Sequence, residues 1–466
     1  MIPRMLKSRG LGGLLALSCL AGCASYSPAP LAGAPDLAPG LAGITVDPAA
    51  MPLPALRRHM VDPARPLDVD AVAMVAVARN PELKAARAQH GVAVAEAFTA
   101  GLLPNPQLSV DYGFLTSGPA VMDAFTLGLM QDVMPFLTRS SRKDAAAATL
   151  RGAELDLLWQ EWQVVSQARL LVVRAQAFER QHAVLEANRA LFADRYRRTS
   201  TAMGRGDQTL PNVVSDLAAL NGVETQLHDL EQQALRNRMD LNALLGLTPT
   251  ASLALAPLTA GDLPLPPADR IQADLPQLAG RRPDLLALKA GYQAQEEAVW
   301  QAVLGQFPAL SIGSNRARDT SNVKTQSLAL SISLPLFDGN QGAIAVQRAT
   351  REQLRQDYQA RLDAAMAGVG QGLLALDQLE AQARATSDSI TTLERAAADA
   401  DAAFRAGSLD ERTFADLQGA LLSRRLEALK LDQAVQEQRV DLMTLIGGDV
   451  PENLNTAPAA TKKATP

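Results

Sequence analysis

The sequence predicts a mainly helical protein joined to a membrane β-barrel, built from a strand–strand–long helix–helix unit given twice. Three observations predict it. Two segments, about 140–203 and 341–405, keep helical periodicity without a single proline. Before each long segment lie short runs that alternate apolar and small polar residues, the period of a strand with one greasy and one wet face. And four landmarks recur at nearly one spacing along the chain, which marks an internal duplication.

The first 22 residues read as a leader. Arg4, Lys7 and Arg9 form a basic region, Leu11 to Leu20 is apolar, and Leu20-Ala21-Gly22-Cys23 follows. Small residues ahead of a cysteine read as a lipoprotein signal over 1–22, with Cys23 the lipidated first residue of the mature chain. An ordinary secretory signal with an incidental cysteine is the alternative. Ala24 stands where an inner-membrane retention signal would usually place aspartate, which points to the outer membrane. Cys19 leaves with the leader and Cys23 is alkylated, so no thiol chemistry is expected. Residues 23–66, rich in Pro, Ala and Gly, read as a lipidated tether.

Past the leader no run of about 18 apolar residues occurs, so no helix crosses a membrane and any crossing uses strands. The formal net charge is −5 and becomes more negative once the leader's three cations are lost. That argues against a nucleic-acid partner.

The first repeat spans 67–246. A helix from Val69 to Arg79 stops at Asn80-Pro81, and a second runs from Glu82 to about Leu102. The period then changes to two. Strands are expected at about 106–115, with Leu108, Val110, Tyr112 and Phe114 on one face, and at about 124–133, with Phe125, Leu127, Leu129 and Val133 against Thr126, Gly128, Met130 and Asp132. Pro135 closes the pair. The long helix over about 140–203 carries Leu150, Leu157, Val164, Leu171, Phe178, Leu185 and Phe192 at a spacing of seven, the mark of coiled-coil packing. At 1.5 Å per residue it would be roughly 95 Å long. It turns at Gly204 and Gly206, and a return helix follows over about 211–245, with Leu217, Leu220, Leu227 and Leu230 packed.

A proline-bearing connector occupies 247–280, and the second repeat spans 281–448. Arg282-Pro283-Asp284-Leu285 answers Asn80-Pro81-Glu82-Leu83, and Pro308-Ala309-Leu310 answers Pro106-Gln107-Leu108. Pro335 answers Pro135, and Leu442 to Gly447 answers Leu241 to Gly246. Strands are expected at about 308–317, where alternation is poor, and at about 326–334. In the latter, Leu328, Leu330, Ile332 and Leu334 oppose Ser327, Ser331 and Ser333. Pro335 ends this strand, and Asp338-Gly339-Asn340 turns the chain into the helix of about 341–405. Its own stripe is Leu362, Val369, Leu376, Ala383, Ile390, Ala397 and Phe404. The tip turns at Gly407, a return helix covers about 410–446, and 449–466 is expected to be disordered.

Four strands cannot span lipid alone, because two open edges would strand backbone groups in hydrocarbon. Single-chain barrels start at eight strands, so several chains must pool theirs. A dimer of eight, a trimer of twelve and a tetramer of sixteen all satisfy this. Catalysis finds no support. His59, His90, His182 and His228 are scattered without metal-ligand spacing, and no nucleophile elbow or phosphate loop occurs. No cofactor or metal is expected. Arg205-Gly206-Asp207 spells an adhesion tripeptide by coincidence, and Trp159 and Trp162 read as packing residues.

The junction Pro335-Leu336-Phe337-Asp338-Gly339, with the lipoprotein signal and the doubled plan, resembles the TolC-type outer-membrane efflux channels, in their lipoprotein branch. The resemblance covers nearly the whole mature chain. It implies a homotrimer whose twelve strands form one barrel set in outer-membrane lipid and continued by a helical barrel in the periplasm. It implies a passive exit duct for drugs or heavy-metal ions, served by an inner-membrane RND-type pump and a periplasmic adaptor (membrane fusion) protein that dock at the helical tips. A protein-secretion duct and, further off, a periplasmic coiled-coil scaffold are the alternatives. The family's acidic tip position, nine residues after the tip glycine, falls on Asp416. The position six residues on is Thr413, a departure from members with aspartate there. Asp207 and Asp216 are the first repeat's candidates and Asp410 a further one. Each could instead be a solvated carboxylate near a helix start.

Overall fold

The computed structural model describes residues 26–118, 122–259, 261–451 and 454. The leader and Cys23 lie outside them. Met1–Leu37 forms one unit and Ala38–Pro466 a second. In the first, the described residues are exposed and carry no helix or strand.

The second unit opens with short 3-10 turns and then follows the doubled plan. α1 is Val69–Arg79, α2 Pro81–Ala100, β1 Gln107–Gly113 and β2 Ala124–Asp132. A short α3, Met134–Leu137, leads into α4, Arg139–Gly204, and α5, Leu210–Leu244. The connector holds α6, Ala268–Asp274, and α7, Leu278–Arg281. α8 (Pro283–Leu304), β3 (Ala309–Arg318), β4 (Lys324–Ser333), α9 (Gln341–Arg405) and α10 (Glu411–Ile446) complete the second copy.

The two copies share their chemistry at one joint. Asn80 caps α2 by accepting from the Leu83 amide at 2.9 Å, and its Nδ2 donates to the Leu244 carbonyl at the end of α5. Arg282 occupies the same place before α8, and its Nη1 donates to the Leu445 carbonyl of α10. An exposed carbonyl in the last helical turn needs a partner. Here each copy supplies one from the residue before its proline. Gly246 and Gly447 end the two return helices with φ of 62° and 66°, a left-handed conformation cheap only for glycine.

α4 is the spine. Near the sheet it packs on α2 and α8, and farther along on α5 and α10. Its pairing with α10 is antiparallel. Trp162 Nε1 donates to the Thr444 carbonyl, Arg174 pairs with Glu437, Gln181 with Gln433 and Arg198 with Glu411. The four long helices therefore lie in the order α5–α4–α10–α9. The central core surrounds Trp162, with Val165, Val172, Met74, Leu245 and Leu247. Arg169 stacks on Trp162 and Arg282 on Trp159, at 5.6 and 4.8 Å, so both tryptophans pack as expected while each also holds a cation.

Three readings are corrected. Residues 38–66 are not a free tether. Leu53 and Leu56 are fully buried in the central core with Met51 and Ile44, and Ala38 bridges Leu247. Each such leucine contributes about 1.5–3 kcal/mol on burial. The segment packs through isolated anchors, which leave no period to detect. The C-terminal tail is likewise held at its start, for Asp449 pairs with Arg169 at 2.8 Å and Val450 is buried. Leu217 is exposed, whereas Leu227 and Leu230 are buried, because the packed face of α5 near the tip is set by Val213 and Asp216.

Candidate functional site

Two places combine unusual chemistry with position: the sheet and the opposite ends of the long helices. The sheet has the order β1–β2–β3–β4, all antiparallel, with both outer edges unpaired in the single chain. Register decides its faces. Leu108 pairs with Leu129, Val110 with Leu127 and Tyr112 with Phe125. Across the other hairpin Leu310 pairs with Ile332 and Ile312 with Leu330. Since Leu129 pairs with Ser314, all these residues share one face. Leu328, Leu330, Ile332 and Leu334 on this face are exposed, Leu328 to 92%.

The other face is polar or small apart from Met130. Ser109 pairs with Gly128 and Gly128 with Asn315, while Ser311 pairs with Ser331 and Ala309 with Ser333. Gly313 pairs with Met130. A Cβ on Gly313 would come within 2.3 Å of the Leu129 carbonyl and the Met130 sulfur, so only glycine fits. β3, which alternates poorly in sequence, is a regular ten-residue strand, held on both sides by neighbours.

The strand-to-helix junctions are turns of different make. Pro135 sits at the second position of α3, where a missing amide costs nothing. After Pro335, Asp338 accepts at its carbonyl from the Gln341 amide, and Gly339 and Asn340 both have positive φ. Asn340 Nδ2 donates to the Ala302 carbonyl of α8 at 2.7 Å, pinning the junction to the preceding helix.

At the far ends the two tips are built alike. Gly206 and Gly407 have φ of 86° and 74°. Asp207 N donates to the Ala202 carbonyl and Ser408 N to the Ala403 carbonyl, both at 2.9 Å. Gly204 is the last residue of α4. Phe404 and Phe414 stack across the second tip at 4.9 Å.

The four candidate carboxylates fall into three situations. Asp207 is exposed in its turn. Asp410 caps α10, accepting from the Thr413 amide at 2.9 Å and its hydroxyl at 2.7 Å. Those hydrogen bonds from Thr413 hold its carboxyl below the ordinary value. Asp216 and Asp416 meet at Arg195. Arg195 Nε stands 2.8 Å from Asp216 Oδ1, its Nη1 donates to Asp416, and Thr199 Oγ1 donates to Asp216 Oδ2 at 2.6 Å. One guanidinium thus joins α4, α5 and α10. The side chains of Arg195 and Asp216 are 9% and 3% exposed, that of Asp416 59%.

Arg195 was missed in the sequence. Its signal is a charged residue three positions after the last apolar heptad residue, Phe192, on the packed side. Around the cluster Arg198 pairs with Glu411 and Asp194, and Arg412 donates to Asn212. Among the described residues no group of three or more His, Cys, Asp or Glu is arranged to hold a metal.

Comparison with known proteins places these features. Residues 275–448 match the outer membrane efflux protein family. The chain is 26% identical over 409 residues to the pyoverdine export outer membrane protein OpmQ of Pseudomonas aeruginosa, covering 82% of this chain and 85% of that protein. CusC superposes with a TM-score of 0.68 at 17% identity, over 91% of this chain and 99% of CusC. VceC of Vibrio cholerae does so at 0.68 and 18%, over 82% and 97%.

Proposed function

We propose that the chain is a member of the outer membrane efflux protein family and that three copies close into the exit duct of a tripartite pump. The protein is an outer-membrane efflux channel and not an enzyme. The observation that carries the assembly is that sheet and helices end in the same way. The sheet leaves the outer edges of β1 and β4 unpaired, and the helical layer leaves α5 and α9 as flanks. A strand edge with an apolar face cannot remain open in lipid. Rotation of one copy against the next brings β4 to a neighbouring β1 and α9 to a neighbouring α5, and a ring closes both at once. Three copies of four strands make twelve. The exposed Val346, Met366 and Leu374 of α9 are then the apolar contacts of the helical seam.

In that ring the apolar sheet face meets lipid and the face of Ser109, Asn315, Ser327 and Ser331 lines a wet lumen. The helices, about 100 Å long for 65 residues, continue the lumen into the periplasm, where an adaptor and an inner-membrane RND-type pump engage the tips. Cys23 carries the lipid anchor. No side chain need bind cargo in a duct of this width, so cargo is set by the pump. The likeness to a pyoverdine exporter supports small organic molecules rather than polypeptides.

The Arg195 cluster serves as a latch. It holds α10 against α4 and α5, and Asp416, its exposed member, faces the pocket lined by Asp399, Ala403 and Leu417. Opening the tip requires α10 to move away from Arg195.

Native mass spectrometry or light scattering of the detergent-solubilised protein tests the assembly. The expected species is a trimer that conducts in planar bilayers. A stable monomer with intact strand content overturns the reading.

A further inference from the structure

The apolar face of the sheet is interrupted in one corner. Register places Arg316 opposite Leu127 and Arg318 opposite Phe125, so both arginines share the face of the lipid-facing residues. On the other side Arg316 pairs with Gln326 and Arg318 with Lys324. Three cations therefore stand at the loop end of the β3–β4 hairpin, in the same cross-strand rows where the first hairpin is still Leu127, Phe125 and Tyr112. The opposite face at these rows holds Thr126, Ala317 and Thr325.

Among the described residues nothing answers this charge fully. Arg318 donates to the Asp123 main-chain carbonyl at 3.4 Å, and the Asp123 carboxylate beside it is engaged by Tyr112 and the Leu115 amide. Asp319 turns its carboxylate to the Ser321 and Val323 amides of its own loop. Among the described residues the side chains of Arg316 and Lys324 make neither an ion pair nor a hydrogen bond. Two cations directly opposed across an antiparallel pair repel, and Arg318 against Lys324 is such a pair. An anion seated between them removes the repulsion. Arginine favours phosphate, which it can grip through two parallel N–H groups, and both arginine and lysine can lay their methylenes along apolar surface while the charge reaches outward.

We propose that Arg316, Arg318 and Lys324 form a lipid-facing site for the phosphate groups of a phosphorylated glycolipid in the outer leaflet. The apolar residues below, Leu328 and Leu330, would then lie along its acyl chains. The proposal rests on the reading that this sheet sits in the outer membrane with its hairpin loops outward.

Native mass spectrometry of the solubilised assembly tests it, because one spectrum reports both assembly and bound lipid. The probes are bisphosphorylated lipid A, its dephosphorylated form and phosphatidylglycerol. The wild type is expected to retain bisphosphorylated lipid A, with retention falling as salt rises. The Arg316→Gln/Lys324→Gln double variant should weaken retention by roughly thirty-fold, since each cation near an anionic surface contributes roughly five-fold. Arg316→Lys/Lys324→Arg should restore most of it, and Arg205→Gln at the helix tip should change nothing. Equal retention by the double variant and the wild type overturns the proposal, as does equal binding of dephosphorylated lipid A. Preference for phosphatidylglycerol, or displacement by inorganic phosphate at matched concentration, overturns it in favour of a general anion site. Failure of the membrane reading is distinguishable, for it appears as loss of the oligomer in every variant.

Discussion

Asp216→Ala should loosen the helix tip far more than Asp416→Ala, although both carboxylates touch the same guanidinium. Asp216 is buried with Arg195, whereas Asp416 is more than half exposed. Removing one member of a buried pair leaves an uncompensated charge and costs about 3–5 kcal/mol. Asp416 still reaches Arg195 in the variant and recovers about 1 kcal/mol at most, leaving a loss of about 2–4 kcal/mol. Asp416→Ala removes only the exposed contact and should cost less than about 1 kcal/mol. Amide hydrogen exchange over residues 195–220 of the solubilised protein reads this directly. Local opening weakened by that amount accelerates exchange roughly thirty- to several-hundred-fold for Asp216→Ala and no more than about five-fold for Asp416→Ala. In planar bilayers the Asp216 variant should show raised conductance at rest. Arg195→Leu/Asp216→Leu should exchange close to the wild-type rate, since an apolar pair of similar volume can replace a buried ion pair without loss. Equal acceleration by the two single variants, or none by Asp216→Ala, refutes the latch.

Leu330→Arg should cost about 2–4 kcal/mol of barrel stability, whereas Ser331→Arg should mainly change conductance; a water-soluble maleimide that labels a cysteine at 330 in preference to one at 331 reverses the two faces. Burial pushes the Asp284 carboxyl up, but Arg282 and Arg361 outweigh it and hold it below its ordinary value of 3.8. Its contribution is therefore complete above pH 3.8 and lost as the pH falls through the lower folded value. Circular-dichroism melts of Asp284→Asn should lose that part of the acid sensitivity, and an unchanged acid limb removes Asp284 as its source. Cys23→Ser should abolish incorporation of labelled palmitate while leaving the assembly in the outer membrane, held by its barrel; label entering the serine variant shows that Cys23 is not the acylated residue.

What was legible in the sequence was whatever is periodic. α4 and α9 announce themselves through a repeat near 3.5 residues and β4 through a repeat of two, because such periods follow from local backbone geometry and need no knowledge of neighbours. The doubled plan was legible for the same reason, since its landmarks are prolines and glycines that act on their own turns. β3 was weak in sequence, for its outer half places Arg316 and Arg318 where apolar residues would complete the alternation. Residues 38–66 carry no such period, because Leu53 and Leu56 join the core singly.

The sequence by itself determined the elements, the duplication and the open sheet edges that demand company in lipid. It did not determine which charges meet. Arg195, Asp216 and Asp416 belong to three helices, and Asp416 lies 221 positions from Arg195. Only the antiparallel seating of α10 on α4, a packing of one repeat against the other, brings them together. Burial then separates two otherwise similar aspartates, because the strength of an ion pair depends on the water that remains around it, and that is a property of the assembled layers.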